Sequence, residues 1–148
     1  MFNAKKRGLR FNWYVLGEGT QRNQIEKDIQ KENISDCFHL LGLRMNPYPY
    51  FKNCDIYIQT SKHEGYVTTV TEAKILNKPI VTTDVSGARE QIHDGVNGLI
   101  AEINAKSVYA KLKELMESED LRHEFIEELR KNEIEFKNDY LAFFNENW

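Results

Sequence analysis

Cysteine is nearly absent from this chain, with two residues in 148, Cys37 and Cys54. Both fall in apolar, strand-like runs, so they read as buried thiols and exclude a disulfide framework or a cysteine-based metal centre. Histidine is almost as scarce, with four scattered residues. The only His-Glu pair, His63-Glu64, is followed by Gly65, Tyr66 and Val67, where a zinc-protease helix needs a second His, so no metal site is expected. Neither end carries an apolar run of the kind a signal peptide or membrane span requires, which makes the cytoplasm the default compartment. Positive charge is in deficit, with 20 Lys and Arg against 23 Asp and Glu and a net charge of -3. That balance excludes the broad basic face needed to bind a nucleic-acid backbone. The cluster Lys5, Lys6, Arg7 and Arg10 is large enough only to touch anionic headgroups, as a peripheral contact at the inner membrane face.

What is present is an ordinary globular composition, 41% hydrophobic and 29% charged. The length suits a single domain over residues 1–148. RFNWYVLG, residues 10 to 17, reads as a buried strand ending in the Gly17-Glu18-Gly19 turn. Thr20 is placed to cap a helix to about Asn33, with Ile25 and Ile29 inward. CFHLLG (37–42) and CDIYIQT (54–60) read as further strands, separated by a Pro47 and Pro49 segment that permits only a turn or one helical turn around Tyr50 and Phe51. Val67, Val70, Ala73 and Leu76 recur at helical spacing, and Asn77 closes that run. PIVTTD (79–84), a short helix from Ser86 to His93, and GLIAE (98–102) follow. From about 105 the tail is helical, with Val108, Leu112 and Leu115 inward. Strands alternating with helices at this pace predict an α/β fold with a parallel sheet covered by helices on both faces.

In such sheets ligands bind at the carboxyl ends of the strands. Four loops are selected: Gly17 to Gly19, Gly42 to Arg44, Ser61 to Tyr66, and Asp84 to Gly87. The third leads into a helix whose first amides, around Tyr66 to Thr69, lack intrahelical partners and suit a diphosphate. Gly65 permits close approach of such a ligand. Glu72 lies about 7.5 Å further on, at a rise of ~1.5 Å per residue, where a carboxylate can accept bonds from a pair of sugar hydroxyls. Glu64 can do the same for a second sugar. The two acids thus fit a molecule with hydroxyls on both sides of a diphosphate, a nucleotide sugar. A plainer reading stands beside this one: Glu72 as a helix acid favoured by the dipole, Glu64 as a solvated charge, Gly65 as a turn residue. Gly17-x-Gly19 lacks the third glycine of a dinucleotide fingerprint and also fits a tight turn.

The combined text WYVLGEGTQRNQIEKDI, then FHLLGLRMNPYPYFKNCDIYIQTSKHEGYVTTVTEAKILNKPIVTTDVSGAREQIHDGVNGLIAE, resembles the C-terminal half of group 1 (family 4) retaining glycosyltransferases of the GT-B architecture. The resemblance runs from about Phe11 to Met116. It implies a Rossmann-like domain that binds the nucleotide-sugar donor, with a separate domain for the acceptor and catalysis in the cleft between them. Glu72 then matches the acid that holds the ribose hydroxyls, and Glu64 the acid beside the transferred sugar, in a catalytic role. Gly65, Tyr66, Val67 and Thr68 match the loop that meets sugar and diphosphate, and Gly17 and Gly19 the glycine turn by the donor. Leu43 and Arg44 fall where the base is met by main chain, Arg44 reading equally as a solvated charge. Gly87 and Glu90 match a G-x-x-E turn.

The resemblance further implies transfer of a hexose with retention to a saccharide or lipid-linked acceptor, as in bacterial surface polysaccharide synthesis, with no metal or other cofactor. The family's first strand-helix unit, bearing an Arg and a Lys that neutralise the diphosphate, has no counterpart here, and Lys5, Lys6 and Arg7 match the end of the helix that follows it. The acceptor domain is expected as a missing partner, on a separate chain in one version. Without these parts the chain is expected to bind donor weakly and catalyse poorly. The alternatives are a non-catalytic half of a split transferase, an inactive fragment, or a sugar-nucleotide epimerase domain. The closing stretch YLAFFNENW predicts aromatics that fold back or pair two copies as a homodimer.

Overall fold

The computed structural model describes residues 10–147 of the chain. Lys5, Lys6, Arg7, Trp148 and the side chains of Phe143 and Phe144 lie outside the described part, and with them the expected lipid contact and aromatic pairing. The chain forms two compact units that divide between Pro49 and Tyr50. All strand ladders are parallel, as the alternating pattern predicts, but they close as one two-stranded and one three-stranded sheet.

In the first unit, β1 (Trp13–Leu16) pairs with β2 (Phe38–Gly42) in the register Trp13 to Phe38 and Tyr14 to His39. Alternation then stacks Trp13 on Phe38, with centroids 5.6 Å apart, and Tyr14 on His39 at 5.0 Å. The helix α1 (Arg22–Lys31) buries Ile29 with Ile34 and Cys37, and Ile25 packs against that cluster, the inward face its spacing predicts. Thr20 does not cap it. Gln21 occupies the cap position without a side-chain bond, and the Arg22 amide donates instead to the Gly19 carbonyl at 3.1 Å. Arg22 also pairs with Glu18 at 2.6 Å and Glu26 at 2.9 Å, so the glycine turn is tied to the helix by charge. At the far end Asn33 takes a φ of 54°, and the Ile34 amide returns to Ile29.

The second unit has β4 (Ile80–Thr83) between β3 (Tyr57–Gln59) and β5 (Leu99–Ala101). Every residue of β4 is buried, which explains why this strand reads as a continuous apolar and threonine run. On one face Ile80, with Tyr57 and Ile100, meets Val70 and Ala73 of α3 (Thr68–Ile75) and Ala88 of α4 (Ser86–Gln91). On the other, Val81 and Leu99 meet Leu115 of α5 (Ala105–Glu117) and Phe125 of α6 (Glu119–Lys131). Asn104 and Ser118 cap these two helices with side-chain bonds to Ser107 and Leu121.

Cys54 departs from its expected place. It follows the short helix α2 (Tyr48–Asn53) rather than sitting in a strand, and it is only partly buried, although burial still pushes its thiol up. Cys37 is buried as expected, in the turn before β2. Asn77 ends α3 with a φ of 53°, and the Lys78 amide returns to the Ala73 carbonyl at 2.9 Å. The last helix, α7 (Glu133–Asn147), comes back onto α3 through buried Phe136, whose ring lies 3.8 Å below the Lys74 ammonium.

Candidate functional site

The loops that leave β3 and β4 are laced to each other. Thr83 Oγ1 donates to the Ser61 carbonyl at 2.5 Å, and Ser86 Oγ donates to the Glu64 carbonyl at 2.9 Å. Gly87 completes the contact, because a Cβ there would sit 1.6 Å from the Gly65 carbonyl oxygen. Together the loops bound an open cleft of about 610 Å³ lined by Lys62, His63, Glu64, Gly65, Asp84 and Ser86 among others. It lies at the carboxyl ends of the strands, where a parallel sheet takes its ligands. Asp84 accepts two bonds from Arg89, both at 2.6 Å, and this partner holds its carboxyl below the usual range. Among the charged lining groups, Asp84 is thereby matched within the fold.

The amino end of α3 is fixed by a side chain from α4. The Val67 amide donates to Gln91 Oε1 at 3.0 Å, while Gln91 Nε2 donates to the Val67 carbonyl at 3.1 Å and to Thr71 Oγ1 at 2.6 Å. Tyr66 and Thr71 share a hydroxyl bond at 2.9 Å, and Lys74 Nζ donates to the Gln91 carbonyl at 2.8 Å. Of the amides around Tyr66 to Thr69, expected to lack intrahelical partners and to suit a diphosphate, that of Val67 is instead taken by Gln91 of α4. A buried amide at a helix start without a side-chain cap needs a partner, and Gln91 supplies it. The Val67 side chain belongs to the core, at 3% exposure. Thr68 and Thr69, as the first helical residues, keep amides that no earlier turn can accept.

Glu72 lies one turn into α3, and its Oε1 accepts a bond from the Tyr140 hydroxyl of α7 at 3.0 Å. Glu64 stands exposed on the loop. Both carboxylates act on one partly buried group. The Tyr57 phenol is pushed up to about 12, chiefly by burial, with a bond to Thr69 opposing the shift and the charges of Glu72 and Glu64 adding to it. Both acids thus lie within electrostatic reach of this phenol. The neutral phenol is favoured on folding, so its contribution to stability is complete below pH 10 and fades as pH rises toward 12. We expect a loss of roughly 2 kcal/mol over that window in alkaline denaturation of the native chain. Tyr57→Phe should flatten that part of the profile.

In the first unit the remaining sequence-selected residues gather at the ends of β1 and β2. Gly17, with a φ of 119°, donates its amide to the Gly42 carbonyl at 2.9 Å. Gly42 has a φ of 71°, and a Cβ there would fall 2.6 Å from Glu18 Oε1. Gly19 has open space around it, Leu43 is 76% exposed, and Arg44 is exposed with no ion pair among the described residues. No group of three or more His, Cys, Asp or Glu among the described residues is arranged to hold a metal ion.

The family model described as glycosyl transferases group 1 matches residues 3–132. The chain belongs to the group 1 glycosyltransferases. It is 34% identical over 110 residues to the N-acetylgalactosamine-N,N'-diacetylbacillosaminyl-diphospho-undecaprenol 4-alpha-N-acetylgalactosaminyltransferase of Campylobacter jejuni, covering 73% of this chain and 30% of that enzyme. It is 32% identical over 130 residues to the N,N'-diacetylbacillosaminyl-diphospho-undecaprenol alpha-1,3-N-acetylgalactosaminyltransferase of the same organism, covering 87% of this chain and 34% of the relative. Among solved structures, TarM of S. aureus in complex with fondaparinux, alpha-GlcNAc-glycerol and UDP superposes with a TM-score of 0.79 at 28% identity, over 95% of this chain and 30% of that one. The chain thus spans about a third of the length of these relatives. Its α/β architecture is that of the C-terminal part of GT-B glycosyltransferases.

Within this group 1 glycosyltransferase the structure gathers Glu64, Gly65, Tyr66, Val67, Thr68, Glu72 and Gly87 in the second unit. Gly17, Gly19, Leu43 and Arg44 belong to the first. Lys62 and His63, which the selected Ser61 to Tyr66 loop contained without a stated role, line the cleft beside Glu64. Sequence reading missed Gln91 and Tyr140, whose bonds join positions 24 and 68 residues apart and leave no local trace.

Proposed function

We propose that the chain is the donor-binding part of a glycosyltransferase that moves a hexose or N-acetylhexosamine from a nucleotide diphosphate sugar to a saccharide or lipid-linked acceptor. The single observation that carries this is that Glu64 and Gly65 line the open cleft on the loop that runs directly into the amino end of α3, with Glu72 of that helix acting on the same phenol as Glu64. The diphosphate lies against the amides of Thr68 and Thr69, where helix dipole and unmatched donors favour an anion. Glu72 accepts from the ribose hydroxyls, in competition with Tyr140, and Glu64 faces the transferred sugar. Lys62 and His63 are the cleft's own donors toward the leaving group. In this reading transfer goes with retention, the leaving charge is carried by protein groups without a metal ion, and a second domain supplies the acceptor site. The names of the C. jejuni relatives include diphospho-undecaprenol, which supports a lipid-linked acceptor and work close to a membrane surface. No helix among the described residues is long and apolar enough to cross one.

Amide-resolved NMR of the chain during addition of UDP-, GDP- and ADP-sugars tests the reading. Shifts should concentrate at Gly65, Tyr66, Thr68, Thr69 and Ser86. Shifts spread evenly over the surface, or confined to the α5 and α6 helices, would count against it.

A further inference from the structure

Tyr57, Gln59 and Ser61 occupy alternate positions along and just beyond β3, so the pleat sets them on one side. Their side chains form a continuous series of bonds. Tyr57 OH donates to Gln59 Oε1 at 2.7 Å, Gln59 Nε2 donates to Ser61 Oγ at 2.7 Å, and Ser61 Oγ donates to Glu64 Oε1 at 2.9 Å. The series has one direction. A phenol that keeps its proton offers Gln59 a donor, which turns the amide so that its NH2 faces Ser61. Ser61, accepting from that NH2, has its own proton left for the carboxylate. The series begins against the core, where partly buried Tyr57 packs edge-on to buried Phe51 with centroids 5.2 Å apart. It ends on an exposed loop acid whose side chain would otherwise move among many rotamers.

We infer that Tyr57, Gln59 and Ser61 are positioning residues that hold the Glu64 carboxylate in one orientation toward the sugar of the bound donor. The inference rests on the donor-binding reading given above. Orientation of a group against a reacting centre is worth far more than its mere presence, so a core-anchored series of bonds matters at this exposed position. Because Ser61 passes the effect on, Gln59 and Ser61 act as one unit rather than as two independent contributors.

Two measurements on the chain separate this inference from the reading beneath it. The first needs no ligand: scalar couplings at the Glu64 Cβ protons. One rotamer is expected in the native chain and rotamer averaging in Ser61→Ala and Gln59→Met, with Ser61→Thr restoring the native pattern. Averaging already present in the native chain, or unchanged couplings in Ser61→Ala, would overturn the inference. The second is calorimetry with UDP and with UDP-N-acetylglucosamine. Ser61→Ala and Gln59→Met should each weaken the sugar nucleotide about fivefold while leaving UDP unchanged, and the double variant should add nothing. Equal weakening of both ligands, or of neither, would overturn it. If the native chain binds neither ligand, the donor reading and the sugar-facing role both fall.

Discussion

Gly87→Ala should lower the stability of the chain by about 3 kcal/mol or more, against the sign that helix propensity alone would give. Within a helix, alanine is normally favoured over glycine by up to ~1 kcal/mol. Gly87 lies in α4 and has no positive φ, so backbone conformation does not require glycine there. Space does, since the added Cβ would sit 1.6 Å from the Gly65 carbonyl oxygen and 3.1 Å from Tyr66 Cα. Both neighbours are backbone, so no side chain can swing away. The loop must retreat from α4, breaking the bond from Ser86 to the Glu64 carbonyl and opening the buried packing around Ala88. In thermal unfolding the midpoint should fall by about 10 °C, taking roughly 3 °C per kcal/mol for a chain of this size. Because the displaced segment carries Glu64 and Gly65, nucleotide-sugar binding should be lost even at temperatures where the variant remains folded. A Gly87→Ala chain with native midpoint and binding would show that the close approach is not needed.

Glu72→Ala should weaken UDP binding about 100-fold, which is ~2.7 kcal/mol. Hydrogen bonds to a charged acceptor are worth about 1.5–3 kcal/mol each, and a ribose diol offers two donors. The full sum is not expected, because Tyr140 already donates to this carboxylate at 3.0 Å and must share it or withdraw. Glu72→Gln is the informative companion. Its amide oxygen still accepts from Tyr140, so α7 keeps its contact with α3, while the charged acceptor is gone, and the loss should be about tenfold. Glu64→Ala should leave UDP binding near native, since Glu64 is assigned to the sugar and not to the nucleoside. Calorimetric affinities of the three variants check the division of labour between the two acids. Equal losses in Glu64→Ala and Glu72→Ala would remove it.

The sheet and its covering helices were legible because burial leaves a period in the sequence. Val70 and Ala73 recur at helical spacing, and both are fully buried in the structure. Asn77 was legible as a helix end, since asparagine tolerates the left-handed conformation that it adopts. The cap at Thr20 was not, because the Gly19 carbonyl won the Arg22 amide and left no role for the hydroxyl. Cys54 misled because it was read as the start of CDIYIQT, although Asn53 and Asp55 flank it and α2, with Pro49 in its first turn, runs to Asn53 and leaves the strand to begin only at Tyr57.

The candidate site divides the same way. Glu64, Gly65, Glu72 and Gly87 stand in two local segments whose residue types carry their chemistry openly. The supports of those residues come from afar. Gln91 reaches Val67 from another helix, and Tyr140 reaches Glu72 from the last one. Such bonds depend on which helices pack together, which no local spacing records. Tyr57, Gln59 and Ser61 lie between these cases. Their alternation is visible in the text, but the direction of their bonds is set by the Glu64 carboxylate beyond the strand, which can only accept.

Calorimetric titration of the chain with UDP-, GDP- and ADP-sugars up to millimolar concentration tests the central claim most directly. The account predicts saturable heat with at least one of them, reduced about 100-fold in affinity by Glu72→Ala. No heat with any of the three, or binding that Glu72→Ala leaves unchanged, would contradict it.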